Sequence, residues 1–246
     1  LVTIDDRNLY EVGEMHMADL LAYLRAIKPT LPEGSTLFFA GLRGNIAFQV
    51  ANGPYVRWAY RDTSLRSYYL NNFSLDKARR GPMYFFVGAR DSLREMEGGE
   101  DLYARIAFGM LVNDWPPGAR DALTLDLARR PEDAQARYWI AWCQLAIGDR
   151  DSAMRSLALS GYATDAGPAP EREQAMALSQ AGRLDEALSL MNGAVRRHAL
   201  DPAVHGLLAD LHLMRDPGNP FGAVEAFATR VLTPEDPVAW RRWGMV

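Results

Sequence analysis

The sequence has little cysteine and little lysine: Cys143 is its one cysteine, and Lys28 and Lys77 are its only lysines. A single cysteine excludes an internal disulfide, and inside an apolar helical segment we expect Cys143 to be a small core residue rather than a reactive thiol. The 27 basic residues are therefore almost all arginine, and they do not outnumber the 31 acidic residues. Nucleic-acid-binding domains carry a basic excess or a basic stripe, so the composition excludes that class of partner.

Long apolar runs are also missing. No stretch approaches the roughly 18 apolar residues of a membrane-spanning helix, and no secretory signal pattern opens the chain. The first residue is Leu1 rather than methionine, so we expect a processed protein or a part of a longer one. With 48% apolar residues, the chain can fill one large or two ordinary globular domains.

Catalytic signatures are absent from the sequence as well. No glycine-rich phosphate loop follows a predicted strand, and neither a nucleophile elbow nor a Gly-x-x-x-x-Gly-Lys motif occurs. Carboxylates cluster around His16 without a surrounding motif, so a charged N-terminal loop explains them better than an acid–base pair; they are Asp5, Asp6, Glu11, Glu14 and Asp19. The sequence therefore predicts no catalytic residue and no cofactor, and it leaves open whether the protein is an enzyme.

The histidines His198, His205 and His212 are spaced by seven residues, which raises the question of a metal site. We place His198 near the end of one helix and the other two on the next helix. At a rise of about 1.5 Å per residue, two imidazoles seven residues apart are about 10 Å apart along the axis, too far to bind one zinc ion. No metal site is predicted.

What the sequence does contain is a spacing of 34 residues that recurs between about Asp101 and Pro237. A small residue recurs every 34 positions. A turn residue lies five positions before each small residue, and a bulky residue lies four positions after it. The turn residues are Asp114, Gly148 and Gly182; the small residues are Ala119, Ala153 and Ala187; the bulky residues are Leu123, Leu157 and Met191. A fourth copy, with Ala223 and Phe227, comes two residues late, after a turn-rich stretch at residues 216–220.

This pattern resembles the tetratricopeptide repeat, whose unit is a pair of antiparallel helices of 34 residues. The resemblance implies that Gly148 and Gly182 end the first helix of a pair with a positive φ, which glycine adopts without steric cost. It also implies that Ala153 and Ala187 lie where the two helices cross closely. We therefore expect an all-α solenoid of about four helix pairs over residues 98–246.

In a tetratricopeptide array the first helices line a concave groove that binds peptides or partner helices. Counting along the 34-residue unit predicts the groove-facing residues Phe108, Gln135, Tyr138, Trp142, Arg172, Met176 and Asp210. Tyr138 and Trp142 lie one turn apart and are the expected aromatic anchor for a partner. The alternative is that the small domain or the last helix folds onto the groove and buries them. A short helix at residues 238–243, with Trp240 and Trp243, fits either a cap of the array or a partner contact.

The first 97 residues predict a small α/β domain, so that the fold class is α+β overall. Apolar spacing predicts a helix over residues 12–27, ended by Pro29 and Pro32. Strands are predicted at 35–40, 67–73 and 83–87, helical segments at 45–50, 55–60 and 91–96, and an undecided short strand at 1–4. The alternation of helices and strands predicts that part of the sheet is parallel.

A second resemblance lies between Leu20 and Val87, in stretches such as Leu31-Pro32-Glu33-Gly34 with Leu37-Phe38-Phe39, and Gly53-Pro54-Tyr55-Val56-Arg57. These stretches are similar to the soluble domain that follows the membrane region in bacterial polytopic, glycosyltransferase-like proteins. The resemblance implies an extracytoplasmic, membrane-associated location, with a cytoplasmic location as the alternative. The catalytic residues of those transferases lie in their membrane region, so none is assigned to this chain.

Arg57 and Arg61 lie among aromatic residues and are candidates for binding an anion or a sugar-lipid headgroup. The alternative is a solvated helix edge paired with Asp62 or Asp76. Taken together, the sequence predicts a protein-interaction module or scaffold within a membrane-associated assembly, whose partner is a peptide or helix, a membrane protein, or a membrane region of the same polypeptide. The soluble portion of a membrane transferase acting on lipid-linked sugars is the alternative function.

Overall fold

The computed structural model describes residues 19–42, 50, 54–89, 92–96, 98–99, 101–164, 169–217 and 219–244. Within these residues the chain forms twelve α-helices and one mixed sheet of four strands, which confirms the α+β fold class. It divides into two compact units, residues 1–102 (unit 1) and residues 103–246 (unit 2). The boundary predicted from the sequence falls slightly earlier, between residues 97 and 98.

Unit 1 is built on a sheet with the strand order β2-β1-β3-β4. The strands are β1 (Thr36–Ala40), β2 (Arg66–Tyr69), β3 (Met83–Ala89) and β4 (Ser92–Glu95). β1 runs parallel to both of its neighbours, which confirms the predicted parallel pairing, and β4 runs antiparallel to β3. Central parallel strands are covered on both faces, and the consecutive side chains of Leu37, Phe38 and Phe39 are accordingly all buried.

Three helices and a short 3-10 turn (Leu70–Asn72) complete the described part of unit 1: α1 (residues 19–27), α2 (Tyr55–Tyr60) and α3 (Leu75–Ala78). Leu24 of α1 and Val56 of α2 share one apolar cluster with Phe39 of β1. On the other face of β1, Phe38 stacks on Phe85 at a centroid distance of 5.3 Å. The two faces of the strand thus bury two separate sets of apolar side chains.

The predicted helix at residues 91–96 is wrong, because residues 92–95 form strand β4. Leu93 pairs with Gly88 of β3 and is buried, while Ser92 and Arg94 on either side of it are exposed. This alternation has the period of a strand, and hydrogen bonds to β3 decide the conformation of a run too short to specify it alone. The predicted strand at 67–73 is shorter than expected, since the chain enters the 3-10 turn at Leu70. The segments 1–4 and 45–49 lie outside the described residues.

Unit 2 consists of consecutive helices joined by short connections. They are α4 (Leu102–Val112), α5 (Pro116–Arg129), α6 (Ala134–Ala146), α7 (Arg150–Leu159), α8 (Glu171–Gln180), α9 (Leu184–Arg197), α10 (Pro202–Arg215), α11 (Pro220–Leu232) and α12 (Pro237–Trp243). Several begin at an Asp or Asn whose side chain accepts a hydrogen bond from the first turn, as Asp133, Asp149, Asp201, Asn219 and Asp236 do.

The turns inside the first three helix pairs repeat in both position and conformation. α4, α6 and α8 end at residues 112, 146 and 180, and the next helices begin at 116, 150 and 184. Between them, Asp114, Gly148 and Gly182 have φ angles of 55°, 85° and 75°. The expected positive φ of the two glycines is confirmed, and Asp114 adopts the same left-handed conformation at some steric cost because it carries a Cβ.

The small and bulky residues that recur every 34 positions are in the core of unit 2. Ala119, Ala153 and Ala187 are fully buried, and so are the bulky residues one turn later, Leu123, Leu157 and Met191. In the fourth copy, Ala223 and Phe227 are buried as well. A small side chain at these positions allows the second helix of each pair to approach its neighbour closely.

Helix α11 is enclosed on every side, unlike the second helices of the earlier pairs. All residues from Gly222 to Arg230 are buried, whereas α7 buries only Ala153 and Leu157 among its residues. α11 packs against α10 and α12, and also against α6, the first helix of the second pair. A helix that is buried all round forms the centre of a helical domain rather than its outer layer. Unit 2 therefore has a central helix.

Candidate functional site

The two aromatic residues expected to anchor a partner are buried within unit 2. Tyr138 is 4% exposed and Trp142 is fully buried, and their rings meet edge to face at a centroid distance of 5.7 Å. The helices that cover them are α10 and α11, which supply His205 and Glu225. The cover thus comes from α10 and α11 and not from the last helix, which differs from the expected alternative, and the pair does not present an open anchor.

Tyr138, Glu225 and His205 form a hydrogen-bonded network that joins α6, α11 and α10. The Tyr138 hydroxyl lies 2.8 Å from Oε1 and 3.1 Å from Oε2 of Glu225. Oε2 of Glu225 lies 2.5 Å from Nδ1 of His205. The His205 side chain is 0% exposed and that of Glu225 is 6% exposed, so solvent does not compete for these contacts.

The orientation of the imidazole is fixed from its other side. Nε2 of His205 lies 2.8 Å from the backbone carbonyl oxygen of Ala199. A carbonyl oxygen only accepts hydrogen bonds, so Nε2 carries a proton and donates it to Ala199. The remaining nitrogen, Nδ1, is the one that faces the carboxylate.

Aromatic rings pack around this polar network. Trp142 meets the His205 ring edge to face at 4.7 Å, and Tyr162 stacks on Tyr138 at 4.3 Å. Tyr162 is brought there by a short extended segment, in which the N–H of Ala163 donates to the carbonyl of Arg196 at 2.7 Å. Burial, with the nearby Glu225 carboxylate, raises the pKa of Tyr138 far above its ordinary value and raises the pKa of Tyr162 as well. Both phenols are therefore un-ionised at neutral pH.

A second contact covers the predicted groove at its far end. Asp210 of α10 accepts two hydrogen bonds from the guanidinium group of Arg242 in α12, at 2.7 and 2.9 Å. The same guanidinium group lies against Gly206. Asp210 is therefore engaged by the last described helix, while Trp240 of α12 remains 47% exposed and stacks on Arg230.

The remaining predicted groove residues are more open. Gln135 is exposed, Phe108 and Arg172 are half-buried, and Met176 is 46% exposed. α8, which carries Arg172 and Met176, buries only Ala175, whereas the corresponding first helices α6 and α10 bury seven residues each. The structure thus separates the predicted groove into a covered part at α6 and α10 and an open part at α8.

Arg57 and Arg61 of unit 1 are exposed, but both take part in local structure. Nε of Arg57 donates to the carbonyl of Leu65 at 2.9 Å, and Arg61 ends α2 in a left-handed conformation with φ of 52°. Asp62 accepts a hydrogen bond from the N–H of Ser64, and hydrogen bonds from Ser64 lower its pKa. Trp58, between the two arginines in sequence, is 70% exposed. None of these contacts brings the two guanidinium groups together with a third polar group in a pocket.

The histidines do not converge on one point. His205 is engaged by Glu225 and Ala199. His212 lies about two turns further along α10 and stacks on Phe221 at 5.9 Å. Burial lowers the pKa of His212. Among the described residues, no group of three or more His, Cys, Asp or Glu side chains is arranged to hold a metal ion.

Sequence reasoning missed Glu225 and its contact with His205, and it also missed the ion pair in which the Arg230 guanidinium group donates to the Asp114 carboxylate at 3.0 Å. One signal for Glu225 is present in the sequence, since it is a lone carboxylate within the apolar run from Phe221 to Phe227. Buried carboxylates are almost always paired, so such a residue predicts a polar partner elsewhere in the core. Which residue that partner is does not follow from spacing, because Tyr138 lies 87 residues away.

Comparison with protein-family models, with curated proteins and with solved structures finds no match to this chain. Of the helices in the described part of the chain, none has both the length and the apolar character that a membrane crossing requires.

Proposed function

We propose that unit 2 is a helical-repeat domain of the tetratricopeptide type and that the chain acts by binding a protein partner through the open face of α8. The partner is a peptide or a helix that places an apolar side chain against Met176 and a carboxylate near Arg172. These two residues lie one helical turn apart and therefore share a face.

The repeat assignment rests on the agreement of spacing, helix ends and backbone conformation. The helix ends at 112, 146 and 180 and the positive φ angles of Asp114, Gly148 and Gly182 follow the same 34-residue interval. The fully buried alanines five residues later do so too. Independent signals at three levels of structure favour a repeated helix pair over a coincidental run of helices.

The choice of α8 rests on one observation: fewer of its residues are buried than in the other first helices. The first helices α6 and α10 bury seven residues each and α4 buries six, whereas α8 buries one. An isolated helix of ten residues is only marginally stable in water, so α8 depends on its packing against α9 through Ala175 and its neighbours. An uncovered first helix within a repeat array is where a partner segment would add the missing contacts.

The experiment is affinity capture from an extract of the native source with the intact chain, followed by measurement of the affinity for the purified candidate partner. The Met176→Asp variant should lower that affinity at least tenfold, because it places a charge in the centre of the apolar contact. Leu159→Asp is the matched control, since Leu159 is 70% exposed on α7 and lies outside the proposed face. It should bind as the unchanged protein does.

Arg172→Glu supplies the second arm of the test. If the partner presents a carboxylate, this variant weakens binding, and the loss is smaller at high salt because the repulsion is screened. Equal binding by the intact chain, Met176→Asp and Arg172→Glu would exclude α8 as the partner-binding face.

A further inference from the structure

The guanidinium group of Arg242 lies in the predicted groove of α10. Its Nε and Nη2 donate to the two carboxylate oxygens of Asp210, at 2.7 and 2.9 Å. Its Nη1 lies over Gly206, close enough that a Cβ on that glycine would be 3.0 Å away. Gly206 and Asp210 are four residues apart on α10 and therefore share a face. A carboxylate that accepts both arms of a guanidinium group, next to a residue without a side chain, matches the planar shape of arginine.

This place on α10 has a counterpart on α8. Gly206 and Asp210 come 34 residues after Arg172 and Met176, the two residues of the open face of α8. The two helices thus use equivalent positions of the repeated spacing. On α8 these positions are open, whereas on α10 a side chain of the same protein fills them.

The helix that carries Arg242 is held by few contacts. α12 has seven residues, and among its described side chains Ala239 is the buried one, while Val238 and Trp240 are 46% and 47% exposed. A helix of this length does not persist alone in water, so α12 depends on its contacts with Asp210 and with Arg230. A segment that buries little apolar surface opens locally at a small cost in free energy.

We propose that Gly206 and Asp210 form an arginine-binding site, that α12 is a strap which fills this site from within the chain, and that an arginine-bearing helical segment of a partner protein takes its place. The strap indicates the form of that segment. The buried Ala239 lies one turn before Arg242, so the partner segment carries an arginine three residues after a small apolar residue. A lysine fits less well, because its ammonium group lacks the planar fork.

The charge of the site favours this class of partner. The Asp210 side chain is 42% exposed, so an incoming cation reaches the carboxylate while Arg242 is still bound. When Arg242 leaves, the carboxylate loses two charge-assisted hydrogen bonds, and a guanidinium group from the partner restores both. An acidic segment would be repelled by the same carboxylate. The inference stands on the contacts of α10 and α12 and goes beyond the binding proposed for α8.

Hydrogen exchange of α12 tests whether the arginine pair holds the strap. Arg242→Gln and Arg241→Gln each remove one positive charge at neighbouring positions, and Arg241 is exposed, with its Nε donating to the carbonyl of Pro237 inside α12 at 3.4 Å. We expect Arg242→Gln to speed amide exchange in residues 238–244 by about fivefold or more. Arg241→Gln should leave that exchange unchanged. Equal exchange in the two variants overturns the proposal.

A peptide added in trans tests whether the site accepts an arginine from another molecule. The probe is an acetylated peptide with the sequence of residues 236–244, and its control is the same peptide with the change Arg242→Gln. Both are titrated into the ¹⁵N-labelled full chain carrying Arg242→Gln, and the backbone amide of Gly206 reports binding. The arginine peptide should bind about fivefold more tightly than its control. Adding Asp210→Asn to the chain should remove this difference.

The unchanged protein should bind the arginine peptide more weakly than the Arg242→Gln chain does, because its own Arg242 competes for the site. Equal affinities of the two peptides at Gly206, or no shift of that amide at up to about 5 mM peptide, overturn the proposal. Met176→Asp separates this site from α8. It should leave binding of the peptide unaltered, and loss of binding in this variant would place the peptide on α8 and also overturn the proposal.

Discussion

The hydroxyl of Tyr138 donates a hydrogen bond to the carboxylate of Glu225, at 2.8 Å, across 87 residues of sequence. This contact joins α6, the first helix of one helix pair, to α11, the second helix of a pair that is not its neighbour in sequence. An open solenoid has no such contact, because each repeat there touches only the adjacent repeats. The relationship makes the helical unit a closed domain around α11.

We expect Tyr138→Phe to destabilise unit 2 by about 1–3 kcal/mol, since it leaves a buried carboxylate oxygen without one of its donors. The measurement is urea denaturation followed by tryptophan fluorescence, to which five of the six tryptophans contribute from unit 2. Tyr23→Phe is the control, because Tyr23 is 44% exposed in unit 1 and its hydroxyl should matter little. An unchanged midpoint for Tyr138→Phe would show that the contact contributes nothing to stability.

His205→Ala and Glu225→Ala should each cost about 3–5 kcal/mol, because each leaves a buried ionisable partner alone. The double variant should cost clearly less than the sum of the two, since it leaves neither partner behind. As a comparison, the exposed pair Arg183 and Glu186 should show no measurable coupling, although its charged atoms are only 2.5 Å apart. Additive effects of His205→Ala and Glu225→Ala would contradict the coupling seen in the structure.

Two glycines of unit 2 should respond to alanine with opposite signs. Gly148→Ala should destabilise by about 1–2 kcal/mol, because φ of 85° is unfavourable for a residue with a Cβ, although no atom blocks the space. Gly193→Ala should stabilise by about 0.5–1 kcal/mol, because Gly193 lies inside α9 and its added Cβ would meet only the guanidinium group of Arg197, at 3.6 Å or more. The measurement is the thermal unfolding midpoint of each variant. Midpoints that both rise or both fall would refute the prediction.

Unit 1 offers a similar comparison between strain and close contact. Gly34 and Gly41 have φ angles of 72° and 70°, but a Cβ on Gly34 meets nothing within 4 Å, while one on Gly41 would lie 2.5 Å from the carbonyl oxygen of Gly88. Gly34→Ala should therefore cost about 1–2 kcal/mol from backbone strain alone. Gly41→Ala should cost about 1–3 kcal/mol more, because the ends of β1 and β3 must move apart.

Hydrogen exchange measured on peptides from unit 1 distinguishes the two effects. Gly41→Ala should raise exchange at the ends of β1 and β3, while Gly34→Ala should leave these strands protected. The idea of a close approach fails if both variants show the same protection in β1 and β3.

Features that depend on local spacing were accessible from the sequence. Gly148 and Gly182 predict their turns, because few residues other than glycine adopt a positive φ. Ala153 and Ala187 recur at the same interval, and both are fully buried. Asp114 fits the interval as well, and the structure gives it the same conformation. Cys143 is buried, as its apolar surroundings predicted.

Features that depend on distant partners were not accessible. Counting along a repeat gives the face of Tyr138, but it does not reveal that α11 occupies that face. Residues 92–95 have a strand conformation only because β3 lies beside them, and so their own pattern was compatible with a turn of helix. In both cases the deciding interaction is tertiary and leaves no periodic trace in the sequence.

The central position of α11 has a consequence for how this protein is made. In an open array each helix pair can fold as soon as it leaves the ribosome, since its contacts are local. Here the cover of α6 is not complete until residues 220–232 have been synthesised, about ninety positions later. During that interval Tyr138 and Trp139 lack the contacts that α11 makes with them, and this is the stage at which a chaperone would find an apolar surface to bind.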